Sequence, residues 1–109
     1  MKQITSSGFE TEVLRCSTPV LIDFCSADCP PCHTLAPNLQ GIEDESGDSL
    51  KVVKVDIARE PDLANSFQIR AVPTVVLFSN GRQVAQFTGL RSKKAVAQWI
   101  EQELGQKLA

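Results

Sequence analysis

Apolar and polar positions fall in blocks along the chain. Val20-Leu21-Ile22-Asp23-Phe24 is short, nearly all apolar and β-branched at two positions, the pattern of a strand buried on both faces and running on to Cys25. Leu50 to Asp56 reads as a second interior strand, and Thr74-Val75-Val76-Leu77-Phe78 as a third. Gln83 to Thr88 alternates, as a half-exposed antiparallel strand does. Asn80-Gly81 before it signals a hairpin, because both central residues of a type I′ turn take positive φ. Between strands, Leu35, Leu39 and Ile42 recur at helical spacing, and Pro37 is expected to kink that helix by removing a backbone donor. A short helix is predicted from Pro61 toward Phe67. A last helix carries Val96, Trp99, Ile100 and Leu104 behind Ser92 as N-cap. A further helix is expected over Phe9 to Leu14.

Strands alternating with helices build a parallel sheet, and the late hairpin adds an antiparallel edge. The expected class is therefore α/β, a central mixed sheet flanked by helices in a three-layer sandwich. The 109 residues fit one domain spanning residues 1–109. A hydrophobic fraction of 42% argues against disorder. Eleven Lys and Arg against 13 Asp and Glu leave no basic stripe for nucleic acid. No apolar run is long enough for a membrane span or a secretory signal, so a cytoplasmic protein is expected.

In that compartment four cysteines point to redox or metal chemistry rather than to a disulfide framework. Cys16 stands apart, while Cys25, Cys29 and Cys32 fall close together. Cys29-Pro30-Pro31-Cys32 follows the first strand and opens the Pro37 helix. Two thiols so spaced at a helix start can close a small disulfide ring. The first sulfur faces the positive end of the helix, which favours its thiolate. The second can attack a mixed disulfide formed by the first and release the partner reduced. Asp23, a carboxyl inside an apolar strand, should hold its proton tightly and suit proton transfer at Cys32.

Taken together, Val20-Leu21-Ile22-Asp23-Phe24, Cys29-Pro30-Pro31-Cys32, Ala36-Pro37, Lys54-Val55-Asp56, Ala71-Val72-Pro73-Thr74, Asn80-Gly81 and Gly89 resemble the thioredoxin family over almost the whole chain. The resemblance implies the thioredoxin fold and thiol–disulfide exchange through a Cys29–Cys32 couple, with no other cofactor. Cys29 would be the nucleophile, Cys32 the resolving thiol and Asp23 the buried acid, with Lys54 as its charge partner. Pro73 would be a cis-proline, and the backbone of Ala71, Val72 and Pro73, with Gly89 and Leu90, would dock an extended client. The implied partners are disulfide-containing client proteins and a recycling enzyme like thioredoxin reductase, and nothing calls for more than a monomer.

The chain also departs from that family. Asp28 stands where the family carries tryptophan before the first cysteine, and Cys25 replaces a second tryptophan. Pro30 replaces a glycine, and His33 a lysine. Pro30 lacks an amide that could donate to the sulfur, and together with Pro31 it stiffens the loop. Asp28 puts negative charge beside the sulfur, and His33 opposes it when protonated. Asp28 and Pro30 are therefore expected to redirect partner choice. Three alternatives stay open at this level. One is a specialised oxidase or isomerase, another a docking domain that needs no thiol. The third is a metal or iron–sulfur module using Cys25, Cys29 and Cys32. Cys25 is more simply an accessory thiol able to form an alternative disulfide with Cys29. Cys16 and Trp99 read as packing residues.

Overall fold

The computed structural model describes residues 1–108. Five strands, Lys2–Gln3 (β1), Val20–Cys25 (β2), Lys51–Asp56 (β3), Thr74–Ser79 (β4) and Arg82–Thr88 (β5), form one sheet in the order β1-β3-β2-β4-β5. All six residues of β2 are buried, and such a strand needs a neighbour at each edge and a layer over each face. It pairs in parallel with β3 and antiparallel with β4. The outer strands are β1, parallel to β3, and β5, antiparallel to β4. β1 was not foreseen, since two residues carry no period for a pattern to show.

Pro30–Ser46 (α1), Pro61–Ser66 (α2) and Lys93–Leu104 (α3) are the α-helices. α1 and α2 open on proline, which suits a position whose amide has no helical acceptor. Pro37 sits inside α1 and leaves the His33 carbonyl without its helical donor. In α3, the Ser92 hydroxyl accepts from the Ala95 amide at 3.1 Å, as an N-cap does. The helix expected over Phe9–Leu14 is instead a 3₁₀ turn, Ser6–Gly8, followed by a π-helical turn, Glu10–Leu14. The wider turn sets Val13 in the core while the Glu12 carboxylate takes both Lys2 and Lys51. Those two ammonium groups hold the Glu12 carboxyl down at about 2.

Alternation along the strands divides the core in two. Leu21, Val52, Val75 and Leu77 face α1 and α3, packing with Leu35, Leu39, Ile42, Val96 and Ile100. Ile22, Phe24, Val53, Val55 and Val76 face the other way, against Val13, Leu63 and Phe67. The three expected layers are present, with α1 and α3 on one face and α2 with the N-terminal turns on the other.

The hairpin turn has the two positive φ angles its sequence demands, 53° at Asn80 and 76° at Gly81. Gly81 also lies against the Leu14 carbonyl oxygen, which a Cβ at that position would approach to 2.9 Å. Gly105, the left-handed C-cap of α3, has open space around it. Gly105→Ala therefore meets only the left-handed penalty of about 1–2 kcal/mol. Gly81→Ala adds a backbone clash and is expected to cost about 2–4 kcal/mol. Urea unfolding of the two variants beside the parent checks the order, and equal losses would contradict it.

Candidate functional site

The period of two that builds the core also aims Asp23. On β2, Leu21, Asp23 and Cys25 share the face over which α1 runs, and Lys54 and Asp56 share it on β3. The first turn of α1 therefore covers a carboxyl group instead of another aliphatic side chain. A cavity of about 200 Å³ lies between helix and sheet, lined among others by Asp23, Cys25, Cys32, His33, Lys54 and Arg59.

Cys29 is the N-cap of α1 and is joined to Cys32 by a disulfide, with the two Cα atoms 5.2 Å apart. Pro30 and Pro31 carry no amide hydrogen, so Cys32 supplies the first free amide of the helix. That amide donates to Cys29 Sγ at 3.2 Å. The positive helix end is thus delivered to the sulfur through one directed donor. Cys29 and Cys32 are both buried, 7% and 4% exposed.

On the other side, Cys29 Sγ lies 3.6 Å from the Val72 carbonyl oxygen. The Val72–Pro73 peptide bond is cis. Neighbouring groups fix this loop. The Thr74 hydroxyl donates to the Ala71 carbonyl at 2.7 Å, and the Gly89 amide donates to the Pro73 carbonyl at 2.8 Å. Gly89 has φ 98°, a backbone that favours glycine. Ala71 and Leu90 are exposed and Val72 is half-buried, so Ala71, Val72, Pro73 and Gly89 come together beside the disulfide.

Asp23 is 1% exposed, and its Oδ1 has no hydrogen-bond partner among the described residues. Burial pushes its carboxyl up to about 6, while the charge of Lys54, its register partner on β3, pulls the other way without overcoming burial. Lys54 thus acts on Asp23 through space.

His33 Nε2 bonds the Ala27 carbonyl oxygen at 2.8 Å, tying α1 to the loop before Cys29. The backbone carbonyl is reachable from a helical position, whereas the exposed Asp28 side chain is left without an ionic partner among the described residues. Cys25 is free and buried, its thiol donating to the Val55 carbonyl at 3.6 Å. Burial, with the nearby Asp23 charge, raises the Cys25 thiol to about 11. Among the described residues no three His, Cys, Asp or Glu side chains are grouped to hold a metal ion. Cys16 packs half-buried near Val13, and Trp99 lies edge-on to Phe87 at 4.9 Å.

Sequence reasoning did not find Ala27 or Thr74 as supports of the site. Both act through contacts that close only in the fold, and a threonine directly after Pro73 was the one visible hint.

A family model described as Thioredoxin matches residues 1–102. Among curated proteins, a thioredoxin of Rickettsia bellii is 37% identical over 101 residues, 93% of this chain and 96% of that one. A thioredoxin of Acidithiobacillus ferridurans is 38% identical over 101 residues, 93% and 94% of the two chains. Among solved structures, a chloroplastic thioredoxin z superposes with a TM-score of 0.88 at 25% identity, covering 96% of this chain and 95% of that one.

The Asp23 carboxyl sets a pH dependence of stability. Its folded value, about 6, lies above the ordinary 3.8, so the folded protein binds more protons than the unfolded chain between those values. Stability conferred by the neutral carboxyl is present below about pH 4 and is lost as pH rises through 6. The two-unit difference corresponds to about 3 kcal/mol. Asp23→Asn should be more stable than the parent at pH 7 and lose the slope between pH 4 and 6. Denaturant unfolding across that range checks this, and an unchanged slope would refute it.

Proposed function

The chain belongs to the thioredoxin family, and we propose that Cys29, Cys32 and Asp23 carry its chemistry from a single domain, residues 1–109. As a family member it is a thiol–disulfide oxidoreductase, a protein-disulfide reductase that acts as an electron carrier. Thioredoxins reduce disulfide substrates, are recycled by thioredoxin reductase and need no cofactor beyond their own dithiol. The observation that supports the assignment is the Cys29–Cys32 pair at the start of α1, with the Cys32 amide on Cys29 Sγ and the unpartnered Asp23 carboxyl in the cavity behind.

In the reduced protein, Cys29 is the nucleophile, its thiolate held by the Cys32 amide and the helix end. It attacks one sulfur of a client disulfide. A Cys29–client disulfide forms, the client S–S bond breaks, and the departing client sulfur leaves as a thiolate that takes up a proton. Cys32 then gives its proton to the Asp23 carboxylate, which at pH 7 is mostly ionised because its value is about 6. The Cys32 thiolate attacks Cys29 Sγ, restoring the Cys29–Cys32 disulfide and releasing the second client thiolate. The client gains two electrons, each of its released thiolates takes a proton from solvent, and Asp23 returns to solvent the proton it took from Cys32.

Ala71, Val72, Pro73 and Gly89 dock the client, the Val72 backbone pairing with an extended segment beside the sulfur. Pro30, Pro31, Asp28, His33 and Lys54 tune the site. Pro30 and Pro31 restrict the helix start to one donor, and His33 secures the loop before Cys29. Lys54 limits the rise in the Asp23 carboxyl. The protein works as a cytoplasmic monomer on disulfide-containing clients and receives electrons from a thioredoxin-reductase-like enzyme. Among the described residues no helix is long and apolar enough to cross a membrane.

The two cysteines should separate cleanly in an insulin-reduction assay. Cys29→Ser is expected to remove turnover entirely. Cys32→Ser is expected to arrest the protein as a mixed disulfide with client, visible on a non-reducing gel and released by dithiothreitol. Trapping by Cys29→Ser instead would reverse the roles.

A further inference from the structure

Asp28 immediately precedes the nucleophile, so its charge sits within reach of any client that Cys29 attacks. The structure leaves that charge uncompensated. A carboxylate beside a helix start is ordinarily satisfied by the first free amides. Here Pro30 and Pro31 have none, and the Cys32 amide is taken by Cys29 Sγ. The nearby imidazole of His33 is taken by the Ala27 carbonyl. The Asp28 backbone is itself held, its amide donating to the Ser26 hydroxyl at 3.3 Å. Its exposed carboxylate has neither an ion pair nor a hydrogen bond among the described residues. A negative charge is therefore fixed at the rim, with no internal partner.

We propose that Asp28 is a specificity residue selecting client disulfides flanked by lysine or arginine over those flanked by glutamate or aspartate. The proposal rests on the redox assignment of Cys29 and deepens it by naming the client chemistry. Basic flanks gain an attraction that is made as the two sulfurs approach, and acidic flanks meet repulsion at the same point. Arg70 and Arg91 stand on the loops around Val72 and Gly89. Arg91 is placed over the Phe87 ring, 4.2 Å from its centroid. Both arginines are retained in every variant below, so a change on replacing Asp28 reports on Asp28 alone.

The test uses two synthetic peptides of equal length, one with Lys-Cys-Lys and one with Glu-Cys-Glu, each cysteine carried as a mixed disulfide with thionitrobenzoate. Release of the coloured thiol by excess reduced protein gives a second-order rate constant, divided by each peptide's own rate constant with dithiothreitol. The parent should prefer the lysine peptide by about tenfold at low ionic strength, the scale of an exposed ion pair set against an exposed like-charge pair. The preference should shrink in about 1 M salt, where the screening length is roughly 3 Å. Asp28→Asn should bring the ratio toward one, and Asp28→Lys should invert it. A parent without preference, or a ratio unchanged in Asp28→Asn, overturns the proposal while turnover stands. If the parent released the chromophore from neither peptide, or Cys29→Ser released it as fast as the parent, the redox assignment would fall and the selectivity with it.

Discussion

The structure depends on burying β2 on both faces and both edges. Six consecutive buried residues oblige β3 and β4 to pair on either side, and oblige α1 to lie across the face that carries Leu21, Asp23 and Cys25. Five of those six positions can be filled by apolar side chains or a thiol at no penalty. Asp23 cannot, and its raised carboxyl value is the measure of the conflict. The fold tolerates the conflict where a cavity of about 200 Å³ gives the group access to Cys32 and a route to solvent. A feature that weakens the folded state at neutral pH is thus also the group we propose to move the Cys32 proton.

Two opposed contacts meet at Cys29 Sγ. The Cys32 amide stabilises negative charge on the sulfur, and the Val72 carbonyl oxygen, 3.6 Å away, favours a thiol hydrogen. On the proposed docking mode, an extended client pairing with the Val72 backbone would arrive beside that balance. Pro30 and Pro31 make the balance depend on a single donor. The same two prolines leave Asp28 without an amide, and one local choice of residues therefore bears on both the reactivity of Cys29 and the charge of the rim.

Much of this was legible from patterning. The β2, β3 and β4 runs, the Asn80-Gly81 turn, the proline starts of α1 and α2 and the stripe on α3 each obey a single local rule, and tertiary packing agrees with it. The N-terminal segment did not yield to such reading. Lys2–Gln3 joins the sheet only because β3 offers an open edge, and Glu10–Leu14 widens to a π turn where Val13 and Glu12 must face different partners. At the site, Cys29 and Cys32 stood out by their spacing at a helix start, and Asp23 as a carboxyl inside an apolar strand. The bond from His33 to Ala27 and the isolation of Cys25 were not legible, since each is set by which backbone carbonyl the fold brings near.

The most direct test of the account is an anaerobic glutathione redox titration, with alkylation and mass spectrometry identifying the paired cysteines at each poise. One reversible two-electron transition confined to Cys29 and Cys32 is expected, with Cys16 and Cys25 remaining as thiols throughout. A disulfide through Cys25, or a transition that leaves Cys29 and Cys32 both alkylated, would contradict it.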